Sequence, residues 1–137
     1  MADLTVTPGS VLFTSGTKLT GVAGATIAAG QALYADAAAS GSLKLAQADG
    51  TAVEADAVGV ALNAAGVGQP VTYATHGSTI NIGATTAKTT TYVVSATPGG
   101  VAPQADLVST NRIVRLGYAT ATDGTFKVDI KNTGAVV

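Results

Sequence analysis

The chain has 137 residues, 47% of them hydrophobic but only 4% aromatic and 11% charged, where about 25% charged is usual for a globular domain. Seven Lys+Arg stand against eight Asp+Glu, a formal net charge of -1, so there is no basic stripe to neutralise phosphates and no nucleic-acid partner is expected. The sequence has no Cys and a single His, which excludes a disulfide framework, a thiolate metal site and an imidazole cluster; no cofactor is expected. No run of about 18 apolar residues is present, so no membrane-spanning helix is expected, and the Met1-Ala2-Asp3-Leu4 start lacks the basic and apolar regions of a signal peptide. So apolar a chain with so few charges is expected to self-associate or to cover its surface with partners.

Residues 1–20 read as an extended N-terminal arm. Leu4 to Phe13 alternates apolar and polar around a break at Pro8-Gly9, the pattern of an edge strand or of an arm lying on a partner. The candidate partner-binding residues are Asp3, Leu4, Val6, Val11, Leu12 and Phe13.

From residue 21 an internal repeat sets the organisation. Tyr34, Gly41, Gly59, Ala61 and Gly66 recur 58 positions later as Tyr92, Gly99, Gly117, Ala119 and Gly124. Gln47-Ala48-Asp49 recurs as Gln104-Ala105-Asp106 with a one-residue deletion. Two similar β lobes, 21–79 and 80–137, are therefore expected. In the first, strands are read at 32–35, 43–45, 57–62 and 71–75, with turns at 40–42 and 64–66. In the second they fall at 91–94, 113–118 and 126–130, with turns at 98–100 and at Thr122-Asp123-Gly124, an Asp-Gly hairpin signal. Ile80-Asn81-Ile82 adds a strand between the halves. Short helical turns are possible readings of 35–39 and 50–57, the second capped by Asp49, with Asp106 at its equivalent. Short Val/Thr/Tyr strands broken every ten residues or so by Gly, Pro, Asp and Asn indicate an all-β sandwich or barrel. Gly59 and Gly117 inside strands mark bulges or close backbone approaches, read here as bends that close a barrel. Leu33, Tyr34, Val58, Leu62, Val94, Ile113, Leu116 and Phe126 are the expected core.

Motifs that carry chemistry are weak throughout. Gly83-Ala84-Thr85-Thr86-Ala87-Lys88-Thr89 lacks the second Gly of a phosphate loop and no helix pattern follows; it reads as a solvated loop. Gly66-Val67-Gly68 reads as a hairpin turn. His76, after the 71–75 strand, has no Gly-x-Ser-x-Gly nucleophile to serve and reads as a loop or interface residue with a charge change near neutral pH. Glu54 and Asp56, with Asp36 and Asp49, form an acidic loop without the aromatic platform of a glycosidase or the Asp-x-Asp-x-Asp-Gly spacing of a calcium loop. Arg112 and Arg115 read as ion-pair partners, and Tyr34, Tyr73, Tyr92 and Tyr118 as core residues with the hydroxyl at the rim.

Gly30-Gln31-Ala32-Leu33-Tyr34, Ala57-Val58-Gly59-Val60-Ala61 and Leu116-Gly117-Tyr118-Ala119-Thr120 together resemble the small capsid decoration, or cement, proteins of tailed bacteriophages, over roughly residues 21–130. The second copy departs from the pattern, with Lys88-Thr89 in place of Gly30-Gln31. The resemblance implies a protein without an active site, made in the host cytoplasm and located on the capsid exterior of the virion. It implies the major capsid protein as partner, held together against the pressure of packed DNA, and self-association as a homotrimer, with a dimer as the alternative. The arm would add a strand to a partner's sheet. Another virion or surface module (tail, fibre or adhesin part) is the second reading, and an enzyme or small-ligand module the third.

Overall fold

A computed structural model describes residues 3–136, with only the backbone of Ala39; Met1, Ala2 and Val137 of the expected arm and second lobe lie outside the described residues. Eleven strands follow one another: β1 (Val11–Ser15), β2 (Lys18–Val22), β3 (Ala32–Asp36), β4 (Ser42–Leu45), β5 (Gly59–Ala61), β6 (Pro70–Ala74), β7 (Thr79–Ile82), β8 (Thr91–Val94), β9 (Val101–Pro103), β10 (Arg112–Ala119) and β11 (Thr125–Val136). One four-residue helix, α1 (Ala52–Ala55), lies between β4 and β5. Its cap is Thr51, not Asp49: the Thr51 hydroxyl accepts from Glu54 N–H while the Glu54 carboxylate accepts from Thr51 N–H, a reciprocal closure of two orphan donors. The 35–39 segment makes a 3-10 turn at Ala37–Ala39, capped by Asp36. Asp106 ends the 3-10 turn Gln104–Asp106, whose N-cap position is Pro103.

The strands form two antiparallel sheets, one of six in the order β1-β7-β11-β10-β8-β9 and one of five in the order β2-β6-β5-β3-β4. They sandwich a shared core. Ala32, Tyr34, Val60 and Ala74 from the five-stranded sheet meet Ile80, Ile82, Tyr92, Val94, Leu116, Phe126 and Val128 from the six-stranded sheet. Period-two alternation explains the second, smaller core: Leu33, Ala61 and Val71 point to the opposite face of the five-stranded sheet and pack with Ala23, Ile27 and Leu43. Of the expected core, Leu33, Tyr34, Val94, Leu116 and Phe126 are buried, while Val58, Leu62 and Ile113 are half-buried. The small side chains have a structural use, since Ala32, Ala46, Ala48, Ala55 and Ala74 are all buried in the shared core and let backbone layers approach closely.

The sheets do not close into a barrel, which corrects the expected role of Gly59 and Gly117. Each is a site of close approach. A Cβ at Gly59 would overlap the Ala74 carbonyl oxygen and lie 2.7 Å from the Tyr73 ring; one at Gly117 would overlap the Lys127 carbonyl oxygen and lie 2.8 Å from the Phe126 ring. Gly117 also follows a register shift on β10, between Arg115 and Gly117.

The 1–20 segment, as far as it is described, is built into the body, which corrects its reading as an extended arm. β1 pairs antiparallel with β7 and β2 with β6. Ahead of them, Leu4 N–H donates to Val101 O at 2.8 Å and Thr7 N–H to Gly83 O at 2.7 Å.

Candidate partner-binding surface

The six arm residues are used unequally. The Asp3 carboxylate accepts a 2.6 Å hydrogen bond from the Ser95 hydroxyl. Leu4, Val6 and Phe13 are half-buried against the shared core and Val11 is buried. Lys18 Nζ stands 5.0 Å above the Phe13 ring, a cation–π contact that covers the ring's outer face. Five of the six are therefore committed to the chain's own fold. Leu12 is not: it is 65% exposed and, paired with Asn81, sits on the last strand of its sheet.

The remaining sheet edges explain why this flank matters. At β9, Leu4 bonds Val101; at β4, Gly24 N–H donates to Leu43 O at 2.8 Å and Ala23 bridges Leu43. Both ends are thus occupied by the chain itself, the usual protection of a sheet margin. At the opposite margins, among the described residues, no strand lies beyond β1 or β2. Only Gly16-Thr17 separates these two strands, so both open edges share one flank of the sandwich. Thr17 O accepts from the Thr75 amide and hydroxyl and from the Ser78 hydroxyl, which pins the crossover from one sheet to the other. Along β2, Leu19 (51%) and Val22 (53%) are exposed, as Leu12 is on β1; Leu19 shares the outer face of its sheet with Tyr73, and Leu12 that of the other sheet with Asn81. Leu19 falls at the end of the 1–20 arm and Val22 at the start of the first lobe, ahead of its first expected strand at 32–35, so neither is marked by the sequence reading. Two apolar residues in an otherwise polar and glycine-bearing stretch were the available signal.

Several titratable groups are held by neighbours. Lys44 Nζ meets Asp36 at 2.8 Å, and that hydrogen bond and charge raise the Lys44 pKa. Burial, then the Asp36 charge, raises the Tyr34 phenol. Hydrogen bonds from Thr125 lower the Asp123 carboxyl. Arg115 meets Asp129 at 2.7 Å, and the same carboxylate lies 3.5 Å from His76 Nδ1, which accepts from Ile130 N–H at 3.0 Å. His76 thus serves the end of the β7–β11 junction. Glu54 and Asp56 are not a facing pair: Glu54 closes the α1 cap and Asp56 accepts from Asn132. Arg112 donates to Gly50 O rather than to a carboxylate. Tyr34 and Tyr92 are buried as expected, Tyr73 is half-buried, and Tyr118 is exposed. Among the described residues no three His, Asp or Glu side chains gather as a metal site. No protein-family model matches the sequence, and no curated protein shows significant similarity to it.

Proposed function

We propose that this is a structural virion protein that binds the outer surface of a tailed-phage capsid and ties neighbouring major capsid subunits together. The supporting observation is the flank on which β1 and β2 leave two adjacent sheet edges open, with Leu12, Leu19 and Val22 exposed along them. Open backbone edges recruit a strand from another chain through main-chain hydrogen bonds, and the exposed apolar side chains carried by each edge strand add burial. The roles are then reversed from the sequence reading: this chain supplies the sheet edge, and the capsid subunit supplies the added strand. The motif resemblance over residues 21–130 supplies the capsid as partner. A binder that recognises only the assembled lattice stabilises it by mass action, copy by copy, and needs no reactive group to do so. Self-association as a homotrimer is part of this reading.

The experiment is co-sedimentation of the purified protein with expanded heads of its phage that lack it, scored by copies per particle. A Leu12→Lys/Leu19→Lys double variant should keep its thermal transition, since both residues are exposed, and lose occupancy. Full occupancy by the double variant would remove the flank from the interface, and no occupancy by the unaltered protein would sink the capsid assignment.

A further inference from the structure

On the outer face of the six-stranded sheet, away from the open edges, Tyr118 stands 37% exposed between Thr91 on β8 and Lys127 on β11, its register partners on either side. Directly opposed side chains on neighbouring strands lie within contact reach of one another. The ring borders a concavity of about 470 Å³ lined by Lys88, Thr89, Thr91, Tyr118, Ala119 and Thr120, a volume in the range of small-ligand sites. Among the described residues neither Lys88 nor Lys127 forms an ion pair, so two cations flank an exposed aromatic ring without internal neutralisation.

Thr89 adds an independent observation. Its φ is +66°, a left-handed conformation that a β-branched residue adopts only under constraint. The five-stranded sheet has the same local arrangement with glycine in that place: Gly30, φ +89°, donates to Ala61 O as Thr89 donates to Ala119 O. Gln31 N–H then bonds Ala28 O as Thr90 N–H bonds Ala87 O. Where glycine would be free of strain, the second arrangement keeps a hydroxyl-bearing side chain, and that side chain lines the concavity.

We propose that this concavity binds a carboxylate-bearing sugar residue of an acidic glycan. The weakly positive C–H face of a pyranose ring lies on the negative face of the Tyr118 ring. The hydroxyls of Thr89, Thr91 and Thr120 both donate and accept, as sugar hydroxyls do. Lys88 and Lys127 supply the countercharge for a carboxylate. An acidic peptide would use the cations alone and leave the ring and the three threonines without a role.

The test is titration of the full chain at low salt with tetragalacturonate, with maltotetraose and a hexaglutamate peptide as controls, followed by calorimetry and amide NMR. Tetragalacturonate should saturate, with shifts confined to 88–91 and 117–120, and maltotetraose should bind several-fold more weakly. Tyr118→Ala should weaken tetragalacturonate about tenfold, while Tyr118→Phe, which keeps the ring, should stay within about twofold. Lys88→Gln and Lys127→Gln should each cost about threefold, as expected for exposed charge pairs. Thr89→Gly should raise the Tm and lower affinity together. Equal binding of the two tetrasaccharides, hexaglutamate binding that survives Tyr118→Ala, absence of saturation, or a Thr89→Gly variant that gains stability at unchanged affinity would each overturn the assignment.

Discussion

Gly117 and Phe126 hold the six-stranded sheet at its tightest point, and Gly59 holds the five-stranded sheet in the same way. The Lys127 carbonyl that a Gly117 side chain would strike belongs to β11, which cannot retreat without losing its pairing with β10 and β7. Gly117→Ala is therefore expected to cost at least about 2 kcal/mol, the upper part of the range for overpacking, and Gly59→Ala to behave alike against Ala74. Phe126 is fully buried and tilts 51° against Tyr92 at a centroid distance of 5.9 Å; truncation to Ala should cost about 3–5 kcal/mol. Urea midpoints of the three variants check both statements, and an unaltered midpoint for Gly117→Ala would deny the close approach. Alkaline stability also belongs to single residues. The folded pKa values of Tyr34 and Lys44 lie above their ordinary 10.0 and 10.5. A raised value means stability that is complete below the ordinary pKa and is lost as the pH rises through the folded one. The protein should therefore lose stability above about pH 10, and Tyr34→Phe and Lys44→Met should each flatten that limb. A limb equally steep in both variants would place the titration elsewhere.

Among the elements, the interior strands were legible because Val, Thr and Tyr alternate between Gly-marked turns. The readings at 32–35, 43–45, 71–75 and 91–94 fall within one residue of β3, β4, β6 and β8. The margins were not legible. β2 has four exposed or weakly apolar positions, and β9 is three residues long and ends in Pro103, so neither carries a period. β11 runs on through Lys131–Val136, all exposed and paired with β10, where no burial writes a pattern into the side chains. The candidate surface was half legible for the same reason: Leu12 stood in an alternating run, whereas Leu19 and Val22 did not. Tyr118 was expected in the core because an aromatic on a strand usually is, but the β10 register shift turns it to solvent. The residues before β1 act as a strap, joined to the body by Asp3–Ser95, Leu4–Val101 and Thr7–Gly83. Removing residues 1–7 should therefore destabilise the fold by roughly 3 kcal/mol, from three hydrogen bonds and two half-buried aliphatic side chains. Thermal melting of the truncated chain measures this, and an unchanged Tm would show the strap to be a passive extension. For the same reason the docking flank is better tested by charge substitution at Leu12 and Leu19 than by deletion.

At the scale of the molecule, the two sheets share one strand order. The sequence β2-β6-β5-β3-β4 becomes β7-β11-β10-β8-β9 when every strand is advanced by five, with β1 added outside. The strands of 21–79 up to β6 belong to the five-stranded sheet, and those from β7 onward to the other. Yet the halves do not each own a core. Ala32, Tyr34, Val60 and Ala74 are buried in one cluster with side chains of the other sheet, and backbone bonds stitch the halves: Ala32 N–H to Gly99 O, Gly99 N–H to Ala46 O, Ala48 N–H to Ser95 O and Arg112 N–H to Ala48 O. A fragment of 21–79 would carry that apolar face into water and lose β2 from its edge. Similar strand order thus does not imply independent stability. The intact chain should unfold in one cooperative step, with far-UV circular dichroism and Tyr fluorescence superimposed, while the isolated 21–79 fragment should show no cooperative melting. Two resolved transitions in the intact chain, or a sharp transition in the fragment, would mean that the smaller core of Leu33, Leu43 and Val71 suffices for one sheet alone.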